Sequence, residues 1–215
     1  CPGDIIVHLG ADECDEVVWY DEPYATDNCE FMFTTGMIQS TFSSNNQFAG
    51  NMFDLTNVTG SPITITSFDG NVNAASGQPA TFEVFYRTGT YVGFENNAAG
   101  WTSMGTVNTT TAGINQPTPV PIGGLTLQPG QTYGIYFVLT SYPAPGSLRY
   151  TNGNNTYNNG DLELTAGVGK ANPNFTGATF AGRVWNGNIH YTKQVGAPPV
   201  VEQIDNTGYT NGDLF

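Results

Sequence analysis

Residues 127–140 read LQPGQTYGIYFVLT, and they combine a tight turn with a long apolar run. Pro129 and Gly130 provide the fixed and the permissive backbone angles that a turn requires. The run that follows, 133–140, is rich in β-branched and aromatic residues, which favour strands. The stretch therefore predicts a strand that begins shortly after a Pro-Gly turn.

The spacing of Leu127, Pro129, Gly130 and Tyr133 resembles the tyrosine corner of Greek-key sandwiches. In such a corner the tyrosine hydroxyl bonds back to the chain upstream and holds a turn between two sheets. An ordinary Pro-Gly turn followed by a core tyrosine fits the same residues equally well. Both interpretations predict β structure.

Alternation of apolar and polar residues recurs on both sides of this stretch and predicts half-buried strands. Gly, Asn and Pro separate the candidates, no window keeps helical periodicity, and about nine short strands are expected. The Pro-rich segment 111–122 is expected to be an extended connection inside one sandwich. The expected fold class is all-β, with a β-sandwich or jelly-roll-like body over residues 31–197. The clearest predicted strands are 53–56, 63–66, 82–87, 133–140, 161–165 and 183–192.

The composition supports a packed fold and excludes some partners. Of the 215 residues, 39% are apolar and only 11% are charged, which argues against disorder. The 18 acidic residues outnumber the 5 basic ones, so we expect no nucleic-acid partner. No apolar run approaches the roughly 20 residues of a membrane span, so we expect no membrane insertion. Any export signal or anchor would lie outside this chain.

The acidic residues are concentrated at the two ends. Residues 1–30 and 198–215 carry 12 acids and no base, whereas residues 31–197 carry six acids and five bases. When one domain is inserted into another, both ends of the sequence belong to the same domain and can share a charge composition that the middle lacks. We therefore expect a discontinuous domain, 1–30 and 198–215, with a sandwich inserted at 31–197. Chance unevenness in an acidic protein is the alternative.

The ends also carry motifs of a known family. The chain opens with CPGDIIV (1–7), continues with VVWY (17–20) and ATDNC (25–29), and closes with DNTGYTNGDLF (205–215). These motifs resemble the HYR (hyalin repeat) module, an immunoglobulin-like extracellular domain used in tandem arrays. The resemblance implies an incomplete HYR-like domain, because the family's closing strands are missing after Phe215. Following sequence or a neighbouring copy would then complete it.

The middle of the chain resembles a second kind of module. The motifs are MFDLTN (52–57), ITITSFD (63–69), FEVFYRTG (82–89) and GRVWNGNIHY (182–191). They are similar to a β-sandwich module of secreted surface proteins in gliding bacteria that use type IX secretion. This resemblance implies an extracellular, cell-surface location and no particular chemistry.

Three cysteines suggest an oxidising compartment, where disulfides persist. In HYR-like modules the cysteine that corresponds to Cys1 resembles a partner for one in the closing strand, which is missing here. The resemblance therefore implies that Cys14 pairs with Cys29 and that Cys1 has no internal partner. Pairing of Cys1 with either of the others, or three free thiols, stays open.

No catalytic pattern stands out, and we expect no enzyme and no cofactor. His8 and His190 occupy ordinary alternating positions of predicted strands, and no nucleophile elbow, phosphate loop or zinc-protease motif occurs. Structural calcium stays open, because oxygen ligands are dense in 12–16, 69–73 and 152–155. Asn-Gly turns explain these runs equally well.

Three aromatic residues in the loop-like stretch 88–101, namely Tyr91, Phe94 and Trp101, could stack on sugar faces. Anchoring in a core is the commoner role of such residues.

The favoured hypothesis is a non-catalytic structural and adhesive repeat unit of a large bacterial cell-surface protein or filament. Its partners would be neighbouring repeats, copies of the same protein and surface polysaccharide. The alternative is a carbohydrate-binding module of a secreted polysaccharide-degrading enzyme. Tandem copies of the opening motif would favour the first, and an adjacent catalytic domain would favour the second.

Overall fold

A computed structural model describes residues 10–11, 32–141 and 148–195. Within these ranges the chain forms fourteen strands, more than the roughly nine that the sequence predicted. No helix in the described part is long and apolar enough to cross a membrane. The strands are β1 (Met32–Gln39), β2 (Asn46–Phe48), β3 (Gly50–Asn57), β4 (Ile63–Gly70), β5 (Pro79–Thr88), β6 (Thr102–Thr110), β7 (Thr118–Val120), β8 (Thr126–Leu127), β9 (Thr132–Ser141), β10 (Leu148–Asn152), β11 (Thr156–Asn158), β12 (Leu162–Lys170), β13 (Thr179–Trp185) and β14 (Gly187–Val195).

The strands form two antiparallel sheets, which confirms the expected all-β sandwich. The five-stranded sheet has the order β1-β14-β4-β7, with β8 also paired to β4. The nine-stranded sheet has the order β2-β10-β13-β12-β3-β9-β5-β6, with β11 paired to β12. Segment 111–122 runs from β6 of the nine-stranded sheet to the five-stranded sheet, inside one sandwich as expected, and within it β7 pairs with β4.

The main core lies between the two sheets and follows the predicted alternation. Phe53 of β3 stacks on Trp185 of β13 with ring centroids 4.9 Å apart, and Phe68 of β4 meets the same indole edge-on. All three side chains are fully buried. Burying an apolar side chain of this size stabilises a fold by roughly 1.5–3 kcal/mol. The contact between Phe68 and Trp185 therefore joins the two sheets.

The predicted strand 183–192 is wrong as a single strand, because the chain changes sheets in its middle. β13 ends at Trp185 in the nine-stranded sheet, and β14 begins at Gly187 in the five-stranded sheet. Between them Asn186 is buried, and its side chain bonds to the Thr151 hydroxyl at 3.1 Å. A Cβ on Gly187 would overlap the Trp185 ring, so the crossing leaves no room for a side chain there.

The tyrosine corner is confirmed. The Tyr133 hydroxyl accepts a hydrogen bond from the backbone N–H of Gln128 at 3.2 Å. Gly130 has a φ of 67°, which a glycine adopts without strain. Leu127 belongs to the five-stranded sheet and Tyr133 to the nine-stranded sheet, so the turn joins the sheets as expected.

The described unit begins and ends on neighbouring strands. Met32, at the start of β1, and Val195, at the end of β14, are partners in one antiparallel register. Residues 32–195 belong to one compact unit. The chain therefore enters and leaves this unit side by side, which is the geometry that an inserted domain needs.

Several predictions fall outside the described residues and stay predictions. They concern the discontinuous domain of 1–30 and 198–215, its junctions with 31–197, and the HYR-like motifs. They also include the pairing of Cys14 with Cys29, the unpaired Cys1, His8 and the acidic run 12–16.

Candidate functional site

A second aromatic cluster covers the outer face of the nine-stranded sheet. Met52 and Tyr136 are fully buried, and they alternate with core residues on β3 and β9, so they lie on the opposite face of the sheet. Two loops, 89–101 and 171–178, contribute further side chains to this cluster, and strands contribute the others. This outer cluster consists of Met52, Tyr136, Val138, Val168 and Phe175, with Phe85, Tyr91 and Trp101 packed against it.

The structure brings the three aromatic candidates together in loop 89–101, and all three are partly buried. Trp101 packs against Tyr136 and Phe175, with ring centroids 6.1 and 5.9 Å away. Its indole N–H donates to the carbonyl of Phe94 at 3.1 Å. The Phe94 ring lies 3.5 Å below the Arg87 guanidinium, a cation–π contact. The positions fit anchoring of the loop, and a ligand contact by these residues stays a prediction.

Asp54 ties the start of this loop to β3. Its carboxylate accepts hydrogen bonds from the Thr90 hydroxyl at 2.6 Å and from the Tyr91 backbone N–H at 2.9 Å. Burial raises the pKa of Asp54 above its ordinary value, although both hydrogen bonds and the charge of Arg87 act against this rise. Burial also raises the pKa of the Tyr91 hydroxyl, and the charge of Asp54 raises it further. Asp54 therefore holds the start of the loop against β3 through two hydrogen bonds.

Lys170 of β12 forms hydrogen bonds with both loops, 89–101 and 171–178. Its side chain is fully buried, and its amine donates to the Asn96 side-chain oxygen of the first loop at 2.8 Å. It also donates to the carbonyls of Phe175 and Gly177, at 3.2 and 2.7 Å, and to the Thr179 hydroxyl at 2.7 Å. Burial lowers the pKa of the amine, against an opposing effect of the Glu95 charge. Nothing in the sequence marked this lysine, because a lone Lys in a strand is usually exposed.

His190 lies on β14, as its alternating position predicted. Its Nε2 is 2.8 Å from a carboxylate oxygen of Asp69, and that oxygen also accepts a hydrogen bond from the Asn188 amide at 2.8 Å. The described ranges contain no group of three or more His, Cys, Asp or Glu side chains suited to a metal. In the run 69–73, Asn73 accepts a hydrogen bond from Arg149 at 2.9 Å. Two candidate calcium ligands of this run therefore have partners within the protein.

A groove at the edge of the sandwich was not anticipated from the sequence. It has a volume of about 480 Å³ and lies between β6 and the turn 123–126. None of its lining side chains is ionisable at neutral pH, and several carry hydroxyl groups. The residues that line it are Tyr86, Thr88, Thr102, Ser103, Met104, Gly123, Gly124, Leu125, Thr126 and Tyr133. Only the Gly-Gly pair, which lets the turn approach β4 closely, could have indicated it.

Comparison with known proteins assigns no family. No protein-family model matches the chain, and no curated protein matches it. Among solved structures, T=1 particles derived from infectious bursal virus match 90% of this chain at 13% identity and a TM-score of 0.28. The VP2 subviral particle of infectious bursal disease virus also matches 90% of it at 13% identity, with a TM-score of 0.26. The chain spans 45% and 47% of these two viral chains, and likeness at such scores carries no conclusion on function.

We predict that Trp101 holds loop 89–101 on the sheet. Trp101→Ala should lower the free energy of unfolding by about 2 kcal/mol, because it removes a half-buried ring from the outer cluster. Val92→Ala in the same loop is the matched control, because Val92 is 57% exposed, and it should change stability by less than about 0.5 kcal/mol. Urea denaturation measures both. Equal midpoints for Trp101→Ala and wild type would show that the indole is not an anchor.

Proposed function

We propose that the chain is a non-catalytic structural and adhesive unit of a large bacterial cell-surface protein. The observation that carries this proposal is the pairing of β1 with β14, which places Met32 beside Val195. A domain whose ends meet on adjacent strands can hang from a host chain without lengthening it.

This geometry suits display rather than load bearing. The host is the rest of the polypeptide, on either side of residues 32–195. Tension along it would be transmitted to this unit at Met32 and Val195, on strands about 4.8 Å apart. The force would then bypass the aromatic core and the surfaces at the far end of the sandwich. The sandwich would then display a binding surface without bearing the tension itself.

The hydrogen bonds and ion pairs of the basic side chains also support a structural role. The five basic side chains all bond to carbonyls, amides or acids of the sandwich. Lys193 and Tyr191, for example, both bond to the Asp161 carboxylate, at 2.5 and 2.9 Å. The basic residues are Arg87, Arg149, Lys170, Arg183 and Lys193.

The two family resemblances support the location and the partners. HYR-like modules occur in extracellular arrays, and the second resemblance is to surface proteins of gliding bacteria. The partners would then be neighbouring repeats or copies, together with surface polysaccharide, and a bridge between Cys14 and Cys29 would suit an oxidising exterior.

Adhesion of the full chain tests this proposal. Beads coated with the chain should stay attached under flow to at least one of three surfaces: glass, polystyrene or a bacterial polysaccharide film. Beads that carry an unrelated acidic protein at the same density are the control. Retention equal to that control on all surfaces, or turnover of a polysaccharide by the chain, would contradict a non-catalytic adhesive unit.

A second candidate function, carbohydrate binding, is favoured by the groove between β6 and the turn 123–126. Ligand sites of this size typically combine an apolar or aromatic wall with a few polar groups. Here Tyr86 supplies an aromatic surface, and Thr102 and Thr126 supply hydroxyl groups, which suit an uncharged sugar.

Titration of the full chain with neutral hexasaccharides of glucose, mannose, galactose and xylose tests this second function. Thr102→Trp should abolish any binding, because the new side chain would fill the groove. Thr106→Trp is the matched control, since Thr106 is also exposed on β6 but lies outside the groove. Binding that survives Thr102→Trp would place the sugar elsewhere, and no binding by wild type would remove this candidate.

A further inference from the structure

Lys170 is an unusual choice for its position. Removing a lysine amine from water is costly, and the cost is usually offset by a carboxylate partner. No such ion pair is formed here by the described residues; the two that occur involve His190 and Lys193. A structural role alone, that of bonding two loop carbonyls, could be filled by a less costly neutral donor.

The neighbour of interest is the side-chain amide of Asn96. Its oxygen is 2.8 Å from the Lys170 amine. The amide carbon is bonded directly to that oxygen. The Thr179 hydroxyl is 3.3 Å from the same oxygen and 2.7 Å from the amine. An amine beside an amide carbonyl, with a hydroxyl donor on the carbonyl oxygen, is the arrangement that acyl transfer requires.

The protonation states also fit acyl transfer. An amine attacks only in its neutral form, and burial lowers the pKa of Lys170, which increases the neutral fraction. Glu95 precedes Asn96 in the loop, and its charge acts on the Lys170 amine. A carboxylate there can accept a proton from the attacking amine and return it to the leaving nitrogen.

We propose that Lys170 and Asn96 form an intramolecular isopeptide bond. The Lys170 nitrogen attacks the Asn96 amide carbon, and the Thr179 hydroxyl stabilises the negative oxygen of the tetrahedral intermediate. The bond from that carbon to the Asn96 amide nitrogen then breaks. One proton moves from the lysine nitrogen to the departing nitrogen through Glu95, the other stays on the new amide nitrogen, and one molecule of ammonia leaves. No oxidant, metal or cofactor is needed.

The surroundings favour formation and retention of the linkage. Phe175, whose carbonyl bonds to the amine, packs in the outer cluster with Trp101 and Tyr136, and these rings exclude water from one side. The product would join β12 to loop 89–101 covalently. It would hold both loops on the sheet whether or not the chain is an adhesin, so this inference does not depend on the proposed function.

Mass spectrometry of the folded full chain tests the bond directly. The chain should be lighter than its sequence by one ammonia, and trypsin should cut after Lys193 but not after Lys170. Peptides 88–149 and 150–183 should stay joined after denaturation and reduction. Because Asn-Gly sites can also lose ammonia, the joined peptides are the decisive readout.

Variants separate the linkage from effects on folding. Asn96→Ala should restore cleavage after Lys170 and the unlinked peptides, while Asn97→Ala, its neighbour in the loop, should keep the linkage. Glu95→Gln should slow the appearance of the joined peptides severalfold at neutral pH. Circular dichroism checks that each variant is folded. A folded wild-type chain that keeps its full mass and is cut after Lys170, even after prolonged incubation, would overturn the proposal.

Discussion

Ser40 holds the point at which the chain passes from one sheet to the other. Its hydroxyl donates to the carbonyl of Trp185 at 2.5 Å and accepts from the backbone N–H of Gly187 at 3.1 Å. Its own backbone N–H donates to the carbonyl of Gly187 at 3.1 Å. One buried residue at the end of β1 therefore satisfies polar groups that the crossing would otherwise leave unpaired in the core.

The rest of the unit follows from this crossing. Because Trp185 ends β13, its ring can contact aromatic residues of both sheets. Because Gly187 begins β14 in the other sheet, that strand pairs with both β1 and β4. The last described strand thus returns to the first. The display geometry proposed for this unit depends on that return. The outer cluster lies on the sheet opposite β1 and β14, and residues of both sheets line the groove.

The sequence predicted β4 and β5 because apolar and polar residues alternate along them and the apolar side chains face the core. β3 and β9 also contain predicted strands, but their other face is buried as well, since Met52 and Tyr136 belong to the outer cluster. The corner at Tyr133 was predicted because a Pro-Gly turn and a tyrosine hydroxyl act within seven residues of one another. The break at Asn186 was missed, because alternation continues when a strand changes sheets.

The candidate sites were less predictable, because they depend on contacts between distant segments. Tyr91, Phe94 and Trp101 were found from composition, but Tyr136 and Phe175, which Trp101 contacts, lie far along the chain. Nothing local to the sequence brings Lys170 close to Asn96, 74 residues away. The groove likewise arises where β6 meets a turn of the other sheet.

Loss of the Ser40 hydroxyl tests the central claim, that this residue secures the crossing between the sheets. Ser40→Ala should lower the free energy of unfolding by about 2 kcal/mol, because the N–H of Gly187 would be buried without its hydroxyl partner. Ser43→Ala, at an exposed position nearby, should leave stability within about 0.5 kcal/mol of wild type. Urea denaturation followed by tryptophan fluorescence measures both. Equal midpoints for the two variants would contradict the claim.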